Sequence, residues 1–300
     1  MKIMYSGVFT ETSTNTPQAQ AFEKLNHSLV KFDINPELNV IQENQTKVEN
    51  TVKKLDQVDR LIETCQVENP DLLLLSKGKG LDLRVVEECQ KVCPVALWYM
   101  DPMINVDEEL LQKIDKADFI FYTAPTVYKK LKDRNSKSFL IQEGYDPKIH
   151  RFYDKIDKVY NVSFLGALKE HRNQYYSFYN FNCFSDKYNA DHCKIINQTR
   201  INLSFTNNRE GTSDRAYKIM GSGWFLLTEP WDDLEKDFKP DHDLVVFNNE
   251  TEFKEKIEEY LENWQKRKHI ARNGLKTVQK YTVEEWAKFI IKQVTLWKQV

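Results

Sequence analysis

The sequence predicts an α/β protein of two doubly wound domains in tandem, residues 1–150 and 151–300. Three observations predict it. The 300 residues are about twice the ~150-residue expectation for one domain. Short continuous apolar runs alternate with amphipathic stretches, the pattern of strands buried on both faces of a parallel sheet. Between Asp146-Pro147 and Lys158 the chain turns polar and aperiodic, and the alternation then restarts.

Taken in order, Lys2-Ile3-Met4-Tyr5 reads as a strand, followed by a polar loop to Thr16. Pro17 suits a first helical position and opens a helix expected to reach Val30. Leu55, Val58, Leu61, Ile62 and Cys65 recur at helical spacing. The runs Asp71–Ser76, Pro94–Tyr99, Asp118–Tyr122 and Ser138–Ile141 then complete a first parallel sheet. After the break, Asn161–Gly166 is a strand with a helix from about His171, and Ile201–Phe205 is a second strand. A helix over Ser213–Gly221, strands at Trp224–Thr228 and Leu244–Phe247, and helices to the end complete the pattern. Two such sheets would present their carboxyl strand ends across a cleft, where ligands of open α/β sheets bind.

Composition narrows the function classes. Forty-three basic residues against 45 acidic give a net charge of −2, which excludes a uniformly basic nucleic-acid binder and leaves a local basic groove open. A mean hydropathy of −0.62, with no apolar run near ~18 residues, predicts no transmembrane helix. The amino terminus lacks the apolar stretch of a signal peptide, and five well-separated cysteines suit a reducing compartment. A cytoplasmic protein is expected.

Two segments carry chemistry. In Phe164-Leu165-Gly166-Ala167-Leu168-Lys169-Glu170-His171-Arg172 a strand ends in glycine and a helix begins beside two cations. Helix amino termini favour anions through unpaired N–H groups and the positive dipole end, and Lys169 and Arg172 would add full charges. The plain reading is a strand–turn–helix with solvated charges. The second segment, Asn207-Asn208-Arg209-Glu210 through Ser213-Asp214-Arg215 to Lys218 and Gly223, links a strand to a helix that Ser213 or Asp214 can cap. Arg215 in a first turn opposes the dipole, so it either meets an anion or pairs with Asp214 or Glu210.

Together these segments resemble the CgeB-like glycosyltransferases, relatives of glycosyltransferase group 1 with the GT-B fold of two Rossmann-like domains and carboxy-terminal helices packing back. Arg215-Ala-Tyr-Lys-Ile-Met-Gly-Ser-Gly-Trp-Phe-Leu-Leu-Thr-Glu229 is similar to that family's donor-side segment. Pro70–Gly78, Leu97–Pro102, Gly144–Pro147, Phe164–Gly166 and Tyr281–Trp286 resemble its other signposts in order. The resemblance implies transfer of a sugar from a nucleotide-sugar held mainly by residues 151–300, to an acceptor approaching residues 1–150. It implies no resident metal or other cofactor, with Gly166, Lys169, Arg172, Ser213, Arg215 and Lys218 on the donor side. Group 1 enzymes often carry two glutamates eight positions apart. Glu210 holds the first position, near the transferring sugar, but Lys218 occupies the second, and a lysine accepts no hydrogen bond from a ribose hydroxyl.

Asp101 follows a strand and is either the base that deprotonates the acceptor or the cap of an Asp-Pro turn. Ser13 and Asn15, on the loop after the first strand, are acceptor-side candidates or simply a polar loop. Asp241-His242-Asp243 has a short acidic metal-binding pattern and also suits a turn. Among the histidines, His171 beside Arg172 is the one to test. The acceptor is a glycan, a protein or a hydroxymethylated DNA base. The other readings are a non-catalytic nucleotide-sugar-binding module and a sugar-nucleotide epimerase.

Overall fold

A computed structural model describes residues 1–34, 47–169, 171–206 and 209–297. The chain divides into two compact units, Met1–Gln142 with Trp286–Val300, and Glu143–Glu285.

The first unit holds a wholly parallel six-stranded sheet, with strands β1 (Lys2–Gly7), β2 (Ser28–Asp33), β3 (Leu72–Ser76), β4 (Val95–Tyr99), β5 (Phe119–Tyr122) and β6 (Ser138–Leu140). Their order is β2-β1-β3-β4-β5-β6. The connecting helices are α1 (Asn15–Lys24), α2 (Lys47–Glu68), α3 (Arg84–Cys89), α4 (Glu108–Lys116) and α5 (Pro125–Leu131). All residues of β3, β4 and β5 are buried, as their unbroken apolar runs require. Cys65, Cys89 and Cys93 are free thiols within this core.

The second unit contains β7 (Tyr160–Leu165), α6 (Arg172–Phe178), β8 (Asn182–Phe184), α7 (Asn189–Gln198), β9 (Thr199–Ser204), α8 (Asp214–Gly221) and β10 (Leu226–Thr228). It continues with α9 (Leu234–Asp237), β11 (Val245–Val246), α10 (Glu250–Glu262) and α11 (Trp264–Val278). Its sheet is also parallel, ordered β11-β10-β9-β7-β8. The division between units falls inside α12 (Val283–Trp297). No helix among the described residues is long and apolar enough to cross a membrane.

Two expectations change. The helix expected to reach Val30 ends at Lys24; Asn26 then takes a φ of +61° and the chain enters β2. A division at 150/151 becomes one at 142/143, and the chain from Trp286 groups with the first unit rather than the second. The reason is packing. The Trp286 ring is buried against Tyr5, Phe22 and Trp98, at centroid distances of 6.3, 5.4 and 4.9 Å. Trp286→Ala is therefore expected to destabilise the first unit by about 3–5 kcal/mol, the range for emptying a buried aromatic site. Urea unfolding followed by circular dichroism measures this; a loss within experimental error would contradict the packing.

Candidate active site

Because the second sheet is parallel, the residues following β7, β9 and β10 share one rim. Gly166 directly follows β7 with a φ of +152°, a conformation side chains rarely adopt. A Cβ there would lie 2.8 Å from Arg215 Nη2 and 2.9 Å from Phe164 Cζ. Glycine thus makes room for a guanidinium. Arg215 Nε donates to the Leu165 carbonyl, and Nη1 donates to Ser213 Oγ at 3.2 Å.

A second guanidinium joins it. Arg172, the first residue of α6, donates from Nη1 to the Ala167 carbonyl at 3.1 Å. The guanidinium carbons of Arg215 and Arg172 lie 4.6 and 5.5 Å from the centroid of the same Phe164 ring. Burial, partly offset by Asp214 and reinforced by the charge of Arg172, pushes Arg215 down to about 10. It remains a cation at neutral pH. Two such guanidinium groups beside a glycine turn at a carboxyl strand end can together hold an anion. Lys169 is exposed on the same turn.

Lys218 has a different geometry. It forms an ion pair with Asp214, one helical turn earlier on α8. Burial raises the Asp214 carboxyl, but Lys218 and Arg215 outweigh it and hold the group below its ordinary range. Lys218 is thus the counter-ion of a helix-start carboxylate. Ser213 precedes α8, and its hydroxyl makes no cap but accepts from Arg215. Glu210 sits in the loop between β9 and α8. Glu170, Asn207 and Asn208 lie outside the described residues.

Near Lys218, His150 Nε2 lies 3.3 Å from His192 Nδ1, and both rings are buried. Burial, then the charge of Lys218, pushes His150 from 6.5 down to about 3. The unfolded chain therefore binds a proton between these values that the folded chain refuses, so stability falls as pH drops from 6.5 towards 3. His150→Gln is expected to show a shallower acid limb in urea unfolding across that window; an unchanged slope would contradict the assignment.

Sequence reasoning missed Glu229, which follows β10. Its Oε2 lies 3.1 Å from His171 Nε2 and accepts the Thr206 N–H at 2.9 Å. The two partners are 58 residues apart, so the sequence does not announce their pairing. Glu229 places an anionic acceptor on the rim that carries the two arginines.

In the first unit, Asp101 lies beyond β4 and pairs through Oδ1 with Lys77 Nζ at 2.7 Å. Lys77 directly follows β3, so the pair occupies the carboxyl ends of two adjacent strands. Asn15 is turned inward. Its Nδ2 donates to Tyr5 Oη at 2.6 Å and Ser76 Oγ at 2.9 Å, and its Oδ1 accepts from Val8 N at 3.1 Å. Ser13 Oγ also bonds Asn15, accepting its backbone N–H at 3.1 Å. Asn15 braces the loop through these bonds, which fits the plainer of the two readings its sequence position allows. Asp243 is likewise committed: its carboxylate accepts from Lys239 N and Thr277 Oγ1 and contacts His242 Nδ1.

Residues 151–292 match the family model described as Glycosyl transferase-like. No curated protein matches the sequence significantly. Among solved structures, HepE from Anabaena in complex with UDP and glucose aligns with a TM-score of 0.73 at 11% identity, covering 98% of this chain and 99% of that one. Sucrose-phosphate synthase from Thermosynechococcus elongatus aligns at 0.69 and 11%, covering 100% and 98%. A Listeria monocytogenes protein assigned as a UDP-N-acetylglucosamine 2-epimerase aligns at 0.64 and 12%, covering 100% and 97%. At such identities the likeness concerns the fold. The carboxy-terminal half of this chain therefore matches a glycosyl transferase-like model, and the chain as a whole has the GT-B fold.

Proposed function

We propose that the protein transfers a glycosyl group from a nucleoside-diphosphate sugar, with UDP as the first nucleotide to try, to a hydroxyl acceptor. The observation that carries this reading is the convergence of Arg215 and Arg172 over Phe164 at the Gly166 turn, inside the segment that matches the transferase model. A departing nucleoside diphosphate gains charge in the transition state, and fixed cations beside it lower the barrier. Arg172, Arg215, Lys169 and the start of α8 supply that charge here, in place of a resident metal. Ser213 orients Arg215, and Lys218 acts through Asp214. Glu229, held by Thr206 N–H and His171, is the carboxylate that accepts donor hydroxyls where Lys218 cannot. Glu210 serves near the transferring sugar.

Asp101 is the base towards the acceptor hydroxyl, with Lys77 holding its carboxylate. In this role Asp101→Asn lowers kcat and leaves the KM for the donor unchanged. The acceptor is a glycan, a protein or a hydroxymethylated DNA base, and a steep fall of activity with salt would single out DNA. Binding of UDP-glucose and UDP-N-acetylglucosamine, measured by calorimetry, and UDP release with and without acceptor test the reading. UDP release supports it. C2 epimerisation of the sugar without transfer would instead favour the epimerase reading, which the Listeria structure's fold keeps in play.

A further inference from the structure

The amino ends of the strands in the second unit carry a cavity of about 650 Å³ on the rim opposite the arginine pair. Lys158 precedes β7, Arg200 is the second residue of β9, and Gly223–Phe225 lead into β10. Helix α11 supplies the other wall, from Trp264 to Leu275.

The walls are apolar. Phe152 and Trp224 stack with centroids 5.2 Å apart, and Ala271 and Leu275 complete the surface. Phe152 and Trp264 are about half exposed, at 50% and 51%, and add aromatic surface to the cavity mouth. Around these walls stand five basic side chains, Lys158, Arg200, Arg267, Lys268 and Arg272, against one carboxylate, Asp154.

Their bonds run to neutral acceptors. Lys158 Nζ donates to the carbonyls of Asn197 and Thr199 at 2.6 and 2.9 Å and lies over the Trp224 ring. Arg200 donates to the Asn161 amide oxygen at 2.9 Å, and Arg267 to the Leu261 carbonyl at 3.0 Å. Among the described residues none of the five forms an ion pair. Burial, then Arg267 and Arg200, pushes Lys158 down to about 7. In a chain of net charge −2, Arg200, Arg267, Lys268 and Arg272 concentrate positive charge at one cavity, with the part-buried Lys158 beside them.

We propose that this cavity is a second binding site, for a phosphate monoester carried on an apolar or aromatic body. The volume falls within the range of discrete small-molecule sites, about 300–1,000 Å³. The arginine forks match a phosphate dianion, and the aromatic and aliphatic walls cover the body of the ester. An inorganic anion uses only the first of these contributions.

Calorimetry and tryptophan fluorescence with the full chain test the site, using phenyl phosphate, monomeric dihexanoyl phosphatidic acid and inorganic phosphate as probes. The esters are expected to saturate a single site and to bind more tightly than inorganic phosphate. Tighter binding of phenyl phosphate identifies a ring as the natural body, and tighter binding of the phosphatidic acid identifies an acyl chain. Arg200→Ala, Arg272→Ala and Trp264→Ala change exposed residues, and each arginine loss is expected to weaken binding about tenfold. Binding should persist in Arg215→Ala and in excess UDP-glucose, which separates this site from the proposed donor site. The proposal is overturned if no probe saturates, if inorganic phosphate binds as tightly as the esters, or if the three variants bind like the wild type. Loss of binding in Arg215→Ala, or binding to phosphatidic-acid vesicles without binding to monomeric ester, overturns it equally.

Discussion

Arg215→Ala is expected to lower the turnover of a nucleotide-sugar by about 100- to 1,000-fold, the cost of deleting one preorganised donor to a developing anion. The side chain is part-buried and bonded to the Leu165 carbonyl and Ser213 Oγ, so its charge is fixed before the substrate arrives. Arg172 shares the Phe164 ring but reaches it from a different helix and cannot take over the same position. Arg215→Lys keeps a charge without the planar fork and should recover only part of the loss. The measurement is kcat/KM for UDP release, with a thermal melt to show that the fold survives. Wild-type kinetics in a folded Arg215→Ala protein would remove the leaving-group assignment.

This prediction rests on a segment that the sequence reveals well. Phe164-Leu165-Gly166 announces a buried strand that ends in glycine, and Arg215 stands out as a cation in a helix's first turn. Both features are local, so they survive without a structure. Lys218 shows the limit of that local reading. Its i,i+4 spacing to Asp214 is visible, yet whether a lysine reaches a substrate or a neighbouring carboxylate depends on rotamers and on burial near His150 and His192.

Features set by tertiary packing were illegible. Glu229 and His171 meet only because parallel strands place β10 and the turn after β7 on one rim. Strand β2 is an edge strand with one buried residue, Phe32, so Ser28–Asp33 lacks an apolar run, and the sequence pattern extends the preceding helix over Ser28–Val30. β8 is only three residues long. The apolar face of α12 was evident, but periodicity says that a face is buried, not which core receives it. Trp286 against Tyr5, Phe22 and Trp98 answers that. Asn15 keeps two readings in the sequence for a related reason. Polar residues on a loop after a strand resemble ligand contacts until their hydrogen bonds are traced, and here they close on Tyr5 and Ser76.

Gly166→Ala should nearly reproduce the activity loss of Arg215→Ala without touching a charged group. The new Cβ would lie 2.8 Å from Arg215 Nη2 and 2.9 Å from Phe164 Cζ, closer than packing permits. Phe164 is fully buried, with Phe205 at 5.0 Å between centroids, so its ring has little room to retreat. The guanidinium is the end of a flexible side chain and moves instead, leaving the place where the diphosphate charge develops. A backbone φ of +152° adds strain of about 1–3 kcal/mol for a non-glycine residue, which should appear as a lower melting temperature. A double-mutant cycle separates the two effects. In the Arg215→Ala background, Gly166→Ala should still cost stability but almost no further activity, because the group it displaces is already gone. If the two substitutions instead reduce kcat/KM multiplicatively, Gly166 acts on the reaction by a route other than Arg215, and the turn is not a seat built for that guanidinium.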